Sequence, residues 1–303
     1  MKRASLAVFL AVLVAGPALA AKVEGFDNSW ADAVAKAKKE GKPIYLHFTT
    51  EWCGWCRKIE ADTYKSDKGK KALENFVPAS LDCTVPRGQQ PTGETKTNIE
   101  LMRKWGGSGY PFLVMVTPEG TVLNTVSGYV PPEQFVKETD KALETRKQLK
   151  EFKTYAEKAD TSSLQYNKKA MEIYSQTLQW DKAIPAVDVV MEKAGDDKDL
   201  YQNAAMIKID YLMNQLRSAK TEQEGKKILQ KLETTLTGLT GKDLELQEPF
   251  KVYYMLGGVA ASLGNNDKAV TALEKALEHA PNDRAKQAIQ STMTRVKAQS
   301  QAE

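Results

Sequence analysis

Cys53 and Cys56 stand three positions apart in Glu51-Trp52-Cys53-Gly54-Trp55-Cys56-Arg57, and the 303-residue chain has only one other cysteine, Cys83. Two thiols at that spacing serve three chemistries: disulfide exchange, half of a metal site, or a structural crosslink. A structural zinc site needs four ligands, usually from a second Cys-x-x-Cys or a pair of histidines. Only Cys83, His47 and His279 remain to supply them, and none stands at ligand spacing, so no metal is expected. A crosslink closing so short a loop removes little unfolded-state entropy, and disulfide-stapled domains use many cysteines rather than three. Exchange is the chemistry that fits. It needs no cofactor beyond the Cys53–Cys56 pair, only one thiolate nucleophile and a second thiol to resolve the mixed disulfide.

The surrounding pattern supplies that asymmetry. Residues 43–49, Pro-Ile-Tyr-Leu-His-Phe-Thr, form a nearly continuous apolar, β-rich run, as in a central strand covered on both faces. Residues 56–64 have helical periodicity, with Cys56, Ile59 and Thr63 on one face. Cys53 is therefore expected at a helix N-terminus, at the carboxyl end of a central strand. Free N–H groups and the helix dipole stabilise a thiolate there. Cys53 is expected to be the more exposed nucleophile, and Cys56 the inward-facing resolving thiol. A helix over 30–40, stopped by Gly41 and Pro43, precedes the strand. A strand over 74–82, a helix over 98–106, a strand opened by Pro111, a turn at Pro118-Glu119-Gly120, a strand over 121–129 and a helix from Pro132 follow. This order predicts an α/β domain over residues 22–148, a mixed central sheet flanked by helices.

The order of elements, together with Lys42-Pro43-Ile44, Trp52-Cys53-Gly54-Trp55-Cys56, Gly109-Tyr110-Pro111-Phe112 and the later Gly120 and Val126-Ser127-Gly128, resembles the thioredoxin superfamily. It is similar to exported members such as the C-terminal domain of DsbD. The resemblance spans about residues 25–148. It implies a thioredoxin-like fold in which Cys53 attacks and Cys56 resolves, framed by Trp52, Gly54 and Trp55. It also implies that Pro111 follows a cis peptide bond beside the disulfide, with the Tyr110 backbone pairing with the substrate chain. Two positions depart from the family pattern. His47 stands six residues before Cys53, where a buried acid is usual. A neutral imidazole there shuttles protons near pH 7 or is simply a satisfied core histidine. Gly54-Trp55 replaces the Gly-Pro of reducing thioredoxins, and since these residues tune thiolate stability the direction of electron flow stays open. The loop over 84–93 is longer than the fold needs. Cys83, at the end of the second strand, is read either as a small buried hydrophobe or as an extra redox thiol near Cys53.

From about Gln148 the pattern becomes helical. Residues 180–188 and 266–274 are visibly alike. Around the second of these, Tyr253, Leu256, Gly257, Ala269, Leu273, Ala276 and Pro281 are similar to the tetratricopeptide repeat. A further, degenerate hairpin is expected from Leu200 to Leu239, broken near Thr221. An all-α, helical-hairpin domain is thus predicted over 149–298, with a disordered tail at 299–303; an ordinary helical bundle is the alternative. Stacked hairpins leave a concave surface that suits peptide or protein segments. No catalytic cluster is visible in this half, and its Lys and Glu alternation reads as a solvated face.

The first twenty residues combine Lys2-Arg3, an apolar run from Leu6 to Ala15, and Ala18-Leu19-Ala20. This is the pattern of a signal peptide cleaved after Ala20, and the run is too short to span a bilayer of about 30 Å. The net charge of +4 includes Lys2 and Arg3, and the balance left gives no reason to expect a nucleic-acid partner. The expected location is the periplasm or the exterior. The expected function is an exported thiol–disulfide oxidoreductase acting on client proteins that carry disulfides or thiols. A membrane-bound or soluble thiol–disulfide electron donor would serve it, and the helical repeats would make protein–protein contacts. The rival reading is a periplasmic chaperone-like or scaffold protein in which the redox pair is secondary.

Overall fold

The computed structural model describes residues 23–241 and 245–300. The expected signal peptide and the last three residues of the expected tail lie outside the described residues. The chain divides into two compact units between Arg146 and Lys147.

The first unit is built on a four-stranded sheet in the order β2-β1-β3-β4. Strand β1 (Ile44–Thr49) is buried along its whole length. It runs parallel to β2 (Val77–Asp82), with Ile44 opposite Val77 and Thr49 opposite Asp82. It runs antiparallel to β3 (Phe112–Val116), which pairs antiparallel with β4 (Val122–Ser127). Both faces of β1 are covered, which is why its sequence does not alternate. On one face Tyr45 packs with Ile59, Tyr64, Leu113 and Phe135. On the other, Phe48 meets Trp105 and Phe112, and Trp105 meets Trp30 of α1 (Trp30–Glu40). Ser29 caps α1 by accepting the Asp32 amide, and Gly41, at φ 67°, ends it. Burying side chains of this size contributes about 1.5–3 kcal/mol each.

A parallel β1–β2 pair requires a crossover. Here it consists of α2 (Gly54–Ile59), a π-helical turn (Glu60–Tyr64) and α3 (Asp67–Leu73). Helix α3 escapes the sequence reading because Asp-Lys-Gly-Lys-Lys offers no apolar stripe. It forms because Ser66 caps it, accepting from the Gly69 amide at 3.0 Å and donating to the Thr63 carbonyl at 2.7 Å. Gly69 is required, since a Cβ there would lie 1.9 Å from the Thr63 carbonyl oxygen. After β2 the chain has no regular structure until α4 (Gly93–Lys104), which begins five residues before the expected Asn98.

Helix α5 (Pro132–Ala156) places Phe135 and Ala142 in the first core and Leu149 and Phe152 in the second. The second unit continues with hairpins α6 (Leu164–Gln176) with α7 (Trp180–Lys193), α8 (Lys198–Ser218) with α9 (Glu222–Gly241), and α10 (Pro249–Ser262) with α11 (Asn266–Glu278). The α8–α9 break falls at the expected Thr221. Gly257 lets α10 and α11 pack closely, because a Cβ there would stand 2.6 Å from Leu273 Cγ and 3.3 Å from the Ala269 carbonyl oxygen. Gln202 on α8 is buried and brackets the chain entering α10, donating to the Glu245 carbonyl at 3.1 Å and accepting from the Gln247 amide at 3.2 Å. Helix α12 (Asp283–Ser300) runs two residues past Ala298, so residues 299 and 300, read as part of a disordered tail, are helical in backbone.

Candidate active site

Strand β1 ends at Thr49, and four residues later Cys53 begins α2. Cys53 has extended backbone geometry and is the N-cap: its Sγ accepts the Cys56 amide at 3.1 Å. The sulfurs of Cys53 and Cys56 are bonded, with 5.2 Å between their Cα atoms, inside the range a disulfide spans without backbone movement. The expected difference in exposure is small. Cys53 is 4% and Cys56 1% exposed, so what separates the two sulfurs is the N-cap position of the first. Ile59 and Thr63 are buried together with Cys56, as the periodicity predicts for one inward face.

Two polar brackets hold the turn before Cys53. The Glu51 amide donates to Thr84 Oγ1 at 2.8 Å, and the Glu51 carbonyl accepts from Arg57 Nη1 at 2.7 Å. Thr84 is itself fixed through its amide and hydroxyl, both donating to Asp82 Oδ1. Sequence reasoning missed Arg57, Asp82 and Thr84. The signal available was the Asp-x-Thr spacing, which favours this local turn. The start of the long 84–93 segment is thus tied to the cysteine turn.

Trp52 and Trp55 are 66% and 59% exposed. Trp52 meets Tyr110 edge-on with 5.8 Å between ring centroids, and the Tyr110–Pro111 peptide bond is cis. Trp55 packs against Tyr129 at 5.7 Å. Gly54 opens α2 without crowding, since a Cβ there would meet only the end of Arg57 at 4.0 Å.

His47 is fully buried on β1, with Ser80 and Leu113 as its register partners. Burial alone pushes its pKa down to about 3, so the imidazole is neutral near pH 7. Its two nitrogens find no hydrogen-bond partner among the described residues, and neither does the Ser80 hydroxyl. Glu60 Oε1 lies 3.8 Å from His47 Nδ1. That is too long for a hydrogen bond, and with a neutral imidazole it is not an ion pair. Partial burial raises the Glu60 carboxyl above its ordinary range, against the opposing pull of Arg57 and Lys65. Glu60 is a second titratable group, beside His47, that the sequence reading did not single out. The π-helical turn, invisible in the periodicity, is what carries it there.

Cys83 is buried and free, its amide paired with the Thr49 carbonyl at 2.8 Å. Burial pushes its thiol up to about 12, while a hydrogen bond from Tyr110 pulls the other way. The Tyr110 hydroxyl is raised in turn, first by its own burial and then by Cys83. Cys83 therefore stays protonated near neutral pH. Among the described residues no three His, Cys, Asp or Glu side chains gather as metal ligands would, and no helix is long and apolar enough to cross a membrane.

A parallel-then-antiparallel sheet, a cysteine pair opening the helix after the first strand, and a cis-proline before the third define a thioredoxin-like domain. Residues 30–143 match the family model of the thioredoxin-like domain, and residues 250–283 that of the tetratricopeptide repeat; the chain carries both. Among curated proteins it is similar to the disulfide bond reductase DsbH of Chlamydia pneumoniae, 32% identical over 101 residues, covering 32% of this chain and 58% of that protein. The chloroplastic thioredoxin-like protein HCF164 of Arabidopsis thaliana is 31% identical over 113 residues, 37% of this chain and 38% of that one. Spermatogenesis-associated protein 20 of Rattus norvegicus is 33% identical over 104 residues, 34% of this chain and 12% of its own length. The chain thus spans only part of each of these relatives. A solved structure titled DsbH Oxidoreductase aligns over 40% of this chain and 88% of its own, at 27% identity and a TM-score of 0.32.

Proposed function

We propose that this protein is an exported thiol–disulfide oxidoreductase that exchanges disulfides with client proteins through Cys53 and Cys56. The observation that carries the reading is the Cys53 sulfur at the N-cap of α2, accepting the Cys56 amide, with Cys56 bonded to it. In the reducing direction the Cys53 thiolate attacks one sulfur of a client disulfide. The client's other sulfur leaves as a thiolate and takes a proton. Cys56, once deprotonated, attacks Cys53 Sγ, closes the Cys53–Cys56 disulfide and expels the second client thiolate. Two electrons have then passed to the client, and a dithiol donor must restore the pair. The same steps reversed oxidise a client dithiol.

Glu60, whose carboxyl is raised by partial burial, is the group we assign to accept the Cys56 proton; His47, 3.8 Å from it, stays neutral because burial lowers its basicity. Cys83 is assigned as a protonated partner of Tyr110, not as a nucleophile in the main cycle. The tetratricopeptide hairpin and its neighbours serve as the docking surface for clients. The Met1–Ala20 pattern supports action in the periplasm or outside the cell. A chaperone-like scaffold remains the second reading, and the repeat at 250–283 is what favours it.

Reduction of insulin by dithiothreitol, followed as turbidity, separates the two. The full chain should accelerate it and Cys53→Ser should not. Equal, uncatalysed rates for both would leave the scaffold reading in its place.

A further inference from the structure

The two exposed indoles do not stand alone. Each leans on a tyrosine, and the tyrosine beside Trp55 is held from three directions. Its ring packs against Trp55, its hydroxyl donates to Asp62 Oδ2 at 3.2 Å, and Lys58 Nζ sits 5.2 Å from its ring centroid. Lys58 pairs with the same Asp62 oxygen, so these two charges offset each other beside the Tyr129 ring. Tyr129 reaches this place because Gly128, at φ 86°, turns the chain after β4. The Gly128 amide donates to the Pro111 carbonyl at 2.8 Å, which joins the Tyr129 turn to the cis-proline segment. Large apolar side chains this exposed are uncommon away from contact sites, and this one lies between the two reacting cysteines in sequence.

We propose that Tyr129 is a positioning residue that sets client preference by holding Trp55 as an aromatic shelf beside the disulfide. The shelf receives an aromatic or large aliphatic side chain adjacent to the client's cysteine. The inference rests on the oxidoreductase reading. A client sulfur must come within bonding distance of Cys53, so the residues flanking it are brought over the surface that Trp55 and the Pro111 segment form together. Lys58 and Asp62 engage each other, and an aromatic flanking residue gains a ring contact with Trp55.

The test uses the full chain, reduced beforehand and freed of reductant, with three oxidants: the disulfide dimer of Gly-Phe-Cys-Gly, that of Gly-Ser-Cys-Gly, and glutathione disulfide. Each turnover converts one dimer into two thiols and closes Cys53–Cys56. The phenylalanine dimer should react about tenfold faster than the serine dimer, a ratio set by one aromatic contact and its burial. That ratio should fall toward one in Tyr129→Ala and be largely kept in Tyr129→Phe, which retains the ring and loses the hydroxyl. If Tyr129→Ala does not fold, Tyr129→Leu carries the same comparison. Equal rates for the two dimers with the unaltered protein would overturn the inference and leave the oxidoreductase reading intact. So would a Tyr129→Ala protein slowed equally on all three oxidants, because that marks a purely structural role. Failure of the unaltered protein with all three would overturn both readings together.

Discussion

The backbone amide of Cys56 points at the sulfur of Cys53 across 3.1 Å, so the first cysteine has a hydrogen-bond donor ready before any client arrives. A sulfur that accepts an amide at the start of a helix is stabilised as a thiolate. No equivalent donor to the Cys56 sulfur arises from the helix, whose amides point toward its N-terminus. The expected outcome is that Cys56→Ser accumulates mixed disulfides with clients while Cys53→Ser does not. Non-reducing gels of affinity-purified variants read this directly. Equal trapping by both variants would remove the assignment of Cys53 as nucleophile.

His47 makes stability depend on pH. Its pKa is about 3 in the folded protein and about 6.5 in an unfolded chain. Between those values the unfolded state binds the extra proton, so stability is complete above about pH 6.5 and is lost as pH falls toward 3. The slope contributed is about 1.4 kcal/mol per pH unit at most. Glu60, raised in the folded state, works with the opposite sign and offsets part of it. Urea denaturation at several pH values from 7 to 4 should show a flatter profile for His47→Leu. Parallel profiles would mean that the buried imidazole is not what the acid titrates.

Cys83 should resist chemistry that the active pair undergoes. With its thiol pushed up to about 12 and the side chain buried, little thiolate exists near pH 8. After reduction, brief iodoacetamide treatment should label Cys53 rapidly and Cys83 only after unfolding, as read by mass spectrometry of peptides. Labelling of Cys83 at a rate near that of Cys53 would instead support the extra redox thiol.

In the helical unit, Gly257→Ala should destabilise the α10–α11 hairpin by about 1–3 kcal/mol through overpacking. The added methyl would meet Leu273 Cγ at 2.6 Å and Cδ2 at 2.8 Å. Pairing it with Leu273→Ala should recover part of the loss, since the two changes act on one contact. Thermal unfolding of the single and double variants measures this. Purely additive losses would argue that Gly257 does not set the helix approach.

The helical unit should govern which proteins are served, not the exchange step. Each unit has its own buried core. A chain ending after Lys150 should still react with glutathione disulfide but lose rate on a large client, because docking raises the local concentration of the client disulfide. Undiminished rates on both substrates would assign the repeats to some other partner.

Much of this protein is legible residue by residue. The strand over 44–49, the helix opened by Cys53, the proline before β3 and the small residues at 257 and 269 each follow from local propensity and pattern. Such signals are local, so one sequence carries them whole. Other features depend on residues far apart in the chain. Thr84 reaches the Glu51 amide only because β1 and β2 end side by side. Tyr129 meets Trp55 only because β4 delivers its turn next to α2. The chain by itself determined which two sulfurs stand close enough to pair and which of them leads the helix. Tertiary structure alone decided how little their exposure differs, that His47 is neutral with Glu60 as its neighbour, and that Cys83 is a protonated thiol against Tyr110. Each of those is set by desolvation and by contacts across strands, and neither quantity can be read from spacing along the chain.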